Sequence, residues 1–301
     1  MRFFMLIALS ILLAACAAPA STPSVNLSDL QPLPVRADRG ITPLRVAVAA
    51  VISPKGTVES YQPLLDYLAR ALGRPVELVQ RRTYAEVNDL IEAGAVDVGF
   101  VCTSAYVEGH DTFGMELLAA PVVNGAPIYY SVLVIPVSSP AKSMADLRGK
   151  VFAYTDPMST SGRMYPASMV ADLGVRPEQF FGRTFFTYGH DDAIRAVAGG
   201  LADGAAVDSL VYDFAIARDP VMARKIKVIH RSPAMGIPPV VVSPRVSPQL
   251  KARLQEALLE MGEAGGQAAL SAIGVERFVP IDDHGYDSVR ALIARMAPQL
   301  R

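Results

Sequence analysis

The residues best suited to chemistry are three consecutive hydroxyl side chains, Ser159, Thr160 and Ser161, in the run DPMSTSG at residues 156–162. A predicted strand precedes the run and a predicted helix follows it, which puts the hydroxyls at a helix start. One of them is enough to cap the free backbone N–H groups there. Three hydroxyls can bind an anion with several acceptor oxygens, because the N–H groups and the positive end of the helix dipole also attract it. The alternative is a capped helix with a serine-rich turn.

A histidine, like these hydroxyls, lies at the start of a predicted helix. His190 lies between a predicted strand at residues 184–188 and a predicted helix that begins near Asp191 or Asp192. An imidazole at that point can donate a hydrogen bond to an oxyanion, in its neutral or its protonated form. The alternative is a histidine in a surface loop.

The elements that must position these residues alternate between strand and helix from residue 44 onward. Short apolar runs predict strands, and apolar residues at helical spacing predict helices at residues 61–72 and 84–93 and from Pro248 onward. This alternation predicts an α/β fold with largely parallel sheets. The predicted strands cover residues 44–52, 76–79, 96–102, 129–135, 151–154, 184–188 and 205–207.

Two segments of the chain repeat one pattern at an offset of 106 residues. Residues 87–106 and 193–212 each read as a helix, a glycine turn, a short buried strand and a polar loop. Both polar loops would follow the carboxyl end of a strand, where open α/β sheets bind ligands. The pattern therefore predicts two similar lobes with a cleft between them, although it also occurs in other α/β proteins. The matched pairs are Gly94 with Gly200, Asp97 with Asp203, Cys102 with Asp208, Thr103 with Ser209, and Tyr106 with Tyr212.

The N-terminus predicts export. Residues 1–15 carry one early charge, Arg2, and then an apolar run that is too short to span a bilayer as a helix. This pattern is typical of a signal peptide. The sequence LAAC at residues 13–16 resembles the bacterial lipobox, in which Cys16 would be acylated; cleavage as an ordinary signal peptide is the alternative. Residues 16–43 contain five prolines and are interpreted as a flexible, lipid-anchored linker outside the cytoplasmic membrane.

The composition excludes several classes of protein. Lys and Arg number 28 against 29 Asp and Glu, without a basic stripe, which argues against a nucleic-acid partner. Two cysteines exclude a zinc-finger or disulfide scaffold, and we expect no metal and no cofactor. Cys102 and His190 could form the nucleophile and base of a hydrolase, but no third orienting group is evident. We therefore do not expect an enzyme.

The run DPMSTSG, the later Gly189-His190-Asp191, Tyr61 in YQPLLDYLARALG and the lipobox resemble the phosphonate, phosphite and phosphate substrate-binding proteins of ABC importers. The similarity covers about residues 44–280. It implies the two-lobed fold of type II periplasmic binding proteins. It also implies that Ser159, Thr160, Ser161 and His190 contact the oxyanion, with Tyr61 and Tyr106 closing from the opposite lobe.

The resemblance also suggests how the chain divides. We expect lobe one to comprise residues 44–129 plus 244–301 and lobe two residues 130–243, with a hinge where the chain crosses near residues 128–130 and 238–239. We expect a monomer that delivers its ligand to an ABC permease, or alternatively one that reports to a sensor histidine kinase.

The chain departs from the family pattern at two points. Receptors for aminophosphonates hold the ammonium group with carboxylates; Asp208 could be one, but residues 236–239, where a second would fall, contain none. A smaller ligand without an amine is therefore favoured. The second departure is Cys102, in the lobe-one cleft loop with Thr103 and Ser104. Its thiol is either a small buried hydrophobe or a soft ligand, as in arsenite-sensing relatives of the family.

Overall fold

The computed structural model describes residues 42–49, 51, 53–263 and 265–299. The predicted signal peptide at residues 1–15, Cys16 and almost all of the predicted linker lie outside the described residues. Within the described part, no helix is both long enough and apolar enough to cross a membrane.

The first sheet has six strands, in the order β13-β4-β12-β3-β1-β2. β1 runs parallel to its neighbours β2 and β3, whereas the β3–β12, β12–β4 and β4–β13 pairs are antiparallel. The strands are β1 (Leu44–Val48), β2 (Val76–Val79), β3 (Val98–Phe100), β4 (Glu116–Val122), β12 (Val240–Val242) and β13 (Arg277–Val279).

The second sheet has five strands, in the order β10-β6-β9-β7-β8. β7 is parallel to β8 and β9, and β6 is antiparallel to β9 and β10. These strands are β6 (Ser131–Pro136), β7 (Val151–Tyr154), β8 (Arg183–Phe186), β9 (Gly204–Asp208) and β10 (Ile226–Arg231). A two-stranded antiparallel ribbon, β5 (Ile128–Tyr129) with β11 (Met235–Gly236), lies at the two points where the chain passes between the sheets.

Helices flank both sheets. They are α1 (Pro54–Leu72), α2 (Tyr84–Glu92), α3 (Thr103–Phe113), α4 (Tyr165–Ala171), α5 (Pro177–Phe180), α6 (His190–Ala198), α7 (Ser209–Arg218), α8 (Pro220–Ala223), α9 (Pro248–Leu259), α10 (Gln267–Ala272) and α11 (Asp287–Met296). α1 begins seven residues earlier than predicted, and a π-helical turn, Thr160–Met164, precedes α4.

Alternate residues of the central strands pack into different cores, which explains why both faces of each sheet carry helices. In β1, Leu44 and Val46 belong to the core that contains residues of α1 and α9, whereas Ala47 belongs to the core beneath α2 and α3. In β6, Val132 and Leu133 likewise pack in two separate cores.

The predicted α/β fold with two flanked sheets is confirmed, but the sheets are mixed and not largely parallel. The parallel strands are those joined by helices, and the chain adds antiparallel strands when it crosses between the sheets. One of these, β12, lies in the first sheet although we expected residues 130–243 to form lobe two. Its three valines are fully buried between β3 and β4, which explains the placement.

The predicted repeat is present in the structure as α2-β3-α3 and α6-β9-α7. In each copy the turn glycine has a left-handed backbone, with φ of +68° at Gly94 and +75° at Gly200. In each copy the aspartate three residues later accepts a hydrogen bond, 2.8 Å long, from a backbone N–H of the neighbouring strand. These pairs are Asp97 with Arg45 and Asp203 with Val151.

Candidate functional site

Loops that follow the carboxyl ends of strands in both sheets meet in one region. His190, the first residue of α6, donates its backbone N–H to the carbonyl of Val51, which follows β1, at 2.8 Å. The N–H of Ser53 donates to Asp191 at 2.9 Å, and that of Tyr84 donates to Asp156 at 3.1 Å. Because several helices begin here, their N–H groups and positive dipole ends converge on this region.

A cluster of buried hydroxyls joins α3 to the turn after β7. Thr160 Oγ1 lies 2.7 Å from Thr103 Oγ1 and accepts a hydrogen bond from the N–H of Ser104 at 3.0 Å. Thr103 Oγ1 also lies 2.9 Å from the hydroxyl of Tyr129. Ser104 Oγ donates to the carbonyl of Met158. We call Thr103, Ser104, Tyr129 and Thr160 the hydroxyl cluster; each is at most 1% exposed.

The three consecutive hydroxyls of residues 159–161 have different environments. Ser159 caps the following turn, since its Oγ accepts a hydrogen bond from the N–H of Gly162 at 3.0 Å. Thr160 belongs to the hydroxyl cluster. Ser161 Oγ is buried and has no hydrogen-bond partner among the described residues. Capping therefore uses one hydroxyl of the three, and Ser161 retains an uncommitted donor.

The glycine that ends the run has a packing role. A Cβ at Gly162 would lie 1.9 Å from Thr155 Oγ1, far inside contact distance. Only a residue without a side chain lets the turn lie this close to the end of β7.

Cys102 lies at the edge of the hydroxyl cluster. Its side chain is 4% exposed, and its Sγ lies 3.7 Å from Thr160 Oγ1 and 3.6 Å from Ser104 Oγ. Cys102 also belongs to the apolar core beneath α2 and α3. The thiol is therefore a buried hydrophobe that also contacts two hydroxyls.

His190 is fully buried, and its tautomer follows from one contact. Its Nδ1 lies 3.0 Å from the backbone N of Asp208, whose N–H can only donate. Nδ1 is therefore unprotonated, and the ring carries its proton on Nε2. Burial lowers the pKa of His190 to about 3, so the imidazole is a neutral donor at neutral pH.

Asp208 is the N-cap of α7, the position that Cys102 holds before α3 in the other copy of the repeat. One carboxylate oxygen accepts a hydrogen bond from the N–H of Leu210 at 2.7 Å. Burial raises the pKa of Asp208 to about 7, which is several units above that of an exposed carboxyl group.

Tyr61 lies in the same region but not in the hydroxyl cluster. It lines a cavity of about 300 Å³ between the two sheets, together with Asp208 and mainly apolar side chains. Its ring packs edge-on against Phe100, with 5.3 Å between the centroids. Burial, and secondarily the carboxylate of Asp208, raise the pKa of Tyr61 to about 12.

Tyr106 is placed elsewhere, contrary to our expectation. Its hydroxyl donates to Asp283 at 2.6 Å, and its ring packs against that of Tyr286. Successive residues of an α-helix are about 100° apart, so Tyr106 points to the opposite side of α3 from Ser104, two residues earlier. We therefore remove Tyr106 from the candidate site.

Two tyrosines that the sequence analysis did not select take its place. Tyr84 is fully buried, and its hydroxyl has no hydrogen-bond partner among the described residues. Burial raises the pKa of Tyr84 well above 10, and the nearby Cys102 raises it further. Tyr129 belongs to the hydroxyl cluster. A tyrosine that is the first residue of a helix, as Tyr84 is after the loop that follows β2, is a signal that could have been noticed. Tyr129 lies in the crossing ribbon, and no local pattern indicated its contact with Thr103.

Asp156 connects the two halves of the site. Its carboxylate accepts a hydrogen bond from the N–H of Met158 at 2.8 Å, in addition to the one from Tyr84. It therefore holds the start of α2 against the turn that carries residues 159–161. Burial raises the pKa of Asp156.

The site can attract an anion without a basic side chain. Among the described residues, no Lys or Arg side chain is hydrogen-bonded to the hydroxyl cluster. The available donors are hydroxyls, backbone N–H groups at helix starts and the Nε2–H of His190. In the same part of the chain, no group of three His, Cys, Asp or Glu side chains could hold a metal ion.

Two flanked α/β sheets, two chain crossings and a buried donor set between the sheets define a solute receptor with the type II periplasmic-binding fold. The chain belongs to a family within that class, since the family model described as "ABC transporter, phosphonate, periplasmic substrate-binding protein" matches residues 46–286. Family membership places the protein outside the cytoplasmic membrane. Members are substrate-binding transport proteins, which excludes the hydrolase alternative.

Individual relatives agree with this assignment. The chain is 30% identical over 252 residues to the phosphate-import protein PhnD of Mycolicibacterium smegmatis, covering 77% of this chain and 78% of that protein. It is 26% identical over 256 residues to the phosphonates-binding periplasmic protein of Escherichia coli, covering 83% and 75%. Among solved structures, the binding protein component of an ABC phosphonate transporter from Pseudomonas aeruginosa superposes with a TM-score of 0.80 at 25% identity, covering 86% and 88%.

Proposed function

We propose that this protein captures one small tetrahedral oxyanion of the phosphonate, phosphite or phosphate type and delivers it to an ABC permease. The observation that carries the proposal is the pair of buried hydroxyls of Tyr84 and Ser161, which have no hydrogen-bond partner in the described part of the chain. Ser161 directly follows Thr160 of the hydroxyl cluster, and Tyr84 begins the helix that Asp156 holds against the same turn. A buried hydroxyl without a partner costs free energy that a bound acceptor would recover. The names of the relatives support the choice of ligand, since one imports phosphate and another binds phosphonates.

The proposed ligand contacts follow from the donors. Ser161 and Tyr84 donate their hydroxyl protons to the oxyanion, and His190 donates from Nε2. Thr160 contributes from the hydroxyl cluster, and the N–H groups at the start of α3 add the helix dipole. Ser159 acts through the turn that it caps. Because His190 is neutral, the site attracts the anion by dipoles and not by a formal positive charge.

Binding closes two lobes in this proposal. Lobe one comprises residues 44–129 and the C-terminal part of the chain, and lobe two begins at residue 130. The boundary after lobe two lies between β11 and β12, not at residue 243, because β12 belongs to the first sheet. The ribbon of β5 and β11 is the hinge, and a monomer held by acylated Cys16 on the linker is the working form.

Arsenite sensing through a histidine kinase is not carried into this proposal. The relatives named above are transport proteins and do not support it. The Cys102 thiol makes hydrogen-bond contacts with two hydroxyl oxygens, those of Ser104 and Thr160. Cys102 therefore remains a buried neighbour of the oxyanion site.

A ligand panel tests the function. We expect phosphate, phosphite or methylphosphonate to raise the melting temperature in a concentration-dependent way, because a ligand that binds only the native state stabilises it by mass action. Sulfate and arsenite are the comparison ions. The same ligand should lower the radius of gyration in small-angle scattering. If none of the three phosphorus ions stabilises or compacts the protein, the proposal is wrong.

A further inference from the structure

The cavity beside Asp208 has an unusual lining for a receptor of small anions. Its volume is about 300 Å³, and most of its wall is apolar, with Phe100 and Phe278 from the first sheet and Phe214 from α7. In the described part of the chain, no Lys, Arg or His side chain lines it. The ionisable residues of the wall with a carboxyl group are Asp208 and Asp213.

The cavity adjoins the proposed oxyanion site. Asp208 lines it and donates its backbone N–H to His190. Val101 lines it and directly precedes Cys102, which contacts the hydroxyl cluster. A tetrahedral group held by the hydroxyls and His190 could therefore direct a substituent into this space.

We propose that the cavity holds an apolar organic substituent of the bound phosphonate, so that the protein prefers alkyl- or arylphosphonates of several carbons over phosphate and methylphosphonate. The inference rests on the proposed function and adds a substrate class to it. A dry apolar cavity of about 150 Å³ is large enough for benzene. A cavity of about 300 Å³ therefore accommodates a phenyl or a butyl group.

The lining favours an apolar substituent over an ammonium group. An ammonium loses its hydration in an apolar wall and needs carboxylates that are free to pair with it. The carboxyl group of Asp208 caps α7 through the N–H of Leu210, and because burial raises its pKa to about 7 it is only partly ionised at neutral pH; Asp213 is solvent-exposed. The two acidic groups also disfavour a second negative charge on the ligand. An uncharged hydrocarbon group avoids both costs.

The first test is a homologous series measured by calorimetry: methyl-, ethyl-, propyl- and butylphosphonate, with phosphate for comparison. Burial of a methylene group predicts about three- to fourfold tighter binding for each added carbon. The matched pair is propylphosphonate and 2-aminoethylphosphonate, which differ by a terminal CH₃ in place of NH₃⁺. We expect the propyl compound to bind more tightly, and the reverse order overturns the inference.

The second test changes the wall. Phe214 is partly buried on α7 and lines the cavity, and Phe185 is partly buried in β8 and does not. We expect Phe214→Ser to weaken butylphosphonate binding about tenfold more than methylphosphonate binding, and Phe185→Ser to leave the ratio of the two affinities unchanged. An equal loss for both ligands in Phe214→Ser, or no loss, contradicts the inference.

The outcomes separate this inference from the function beneath it. If phosphate or methylphosphonate binds but affinity stays flat or falls with chain length, the cavity is not a subsite and the proposed function stands. If no member of the series and neither phosphate nor phosphite binds, the proposed function itself is wrong.

Discussion

The imidazole Nδ1 of His190 accepts a hydrogen bond from the backbone N–H of Asp208, 3.0 Å away. This contact joins the start of α6 to the end of β9 and fixes the proton of the neutral ring on Nε2. Both side chains are buried, and burial moves their pKa values in opposite directions, to about 3 for His190 and about 7 for Asp208. The pair therefore gives the protein a distinctive dependence of stability on pH.

We predict that Asp208→Asn makes the protein more sensitive to acid. Between about pH 3.8 and 7 native Asp208 holds a proton that the unfolded chain has lost, so its contribution to stability falls as the pH rises. Between about pH 3 and 6.5 His190 is protonated in the unfolded chain but neutral in the native protein. The contribution of His190 to stability therefore falls as the pH drops. The contributions of Asp208 and His190 to the pH dependence of stability partly cancel in the wild type. Asp208→Asn removes only the contribution of Asp208, because asparagine does not titrate but still caps a helix.

The measurement is the urea midpoint from pH 4 to 7.5. The midpoint of Asp208→Asn should fall more steeply on acidification than that of the wild type. His190→Gln removes the opposite contribution and should shift the slope the other way. Identical pH profiles for all three proteins would mean that these groups do not titrate as their burial implies.

We predict that Thr160→Ala weakens oxyanion binding by about 1.5–3 kcal/mol, the range for a hydrogen bond to a charged group. Thr112→Ala is the control, because Thr112 lies on α3 but is exposed and donates to its own helix. Calorimetry with the best phosphorus ligand measures both variants. An unchanged affinity in Thr160→Ala would remove the hydroxyl cluster from the site.

Two tyrosine variants should behave in opposite ways. Tyr84→Phe removes a buried hydroxyl that has no described partner, so we expect binding to weaken by about 1.5–3 kcal/mol while the unliganded protein keeps its stability. Tyr106→Phe removes the hydrogen bond to Asp283, so we expect lower stability and unchanged affinity. Melting temperature and calorimetry together distinguish the two. A ligand defect in Tyr106→Phe would return that residue to the site.

Gly162→Ala should destabilise the protein by about 1–3 kcal/mol, the usual cost of overpacking, because its Cβ would overlap Thr155 Oγ1. Gly262→Ala is the matched control, since the nearest atom to its added Cβ lies 3.8 Å away. Chemical denaturation of both variants measures the difference. Equal stabilities would show that the turn after β7 shifts freely.

Much of the fold could be predicted from local patterns in the sequence. Short apolar runs predicted β1, β3 and β7, because a buried strand needs apolar side chains on both faces. The repeat at an offset of 106 residues identified two equivalent units, and their glycines and aspartates make equivalent backbone contacts. Ser159, Thr160 and Ser161 were recognisable as a donor set because helix capping is a local property of the chain.

The tertiary structure decided in which direction side chains point and which residues far apart in the chain are in contact. Tyr106 turned away from the site because two residues of helix rotate a side chain to the far side of α3. Tyr129 joined the hydroxyl cluster, and β12 joined the first sheet, through pairings between residues far apart in the chain. Sequence alone determined which side chains could donate to an anion. The packing of the two sheets determined which of them meet, because burial and long-range contacts are properties of the whole fold and not of any segment.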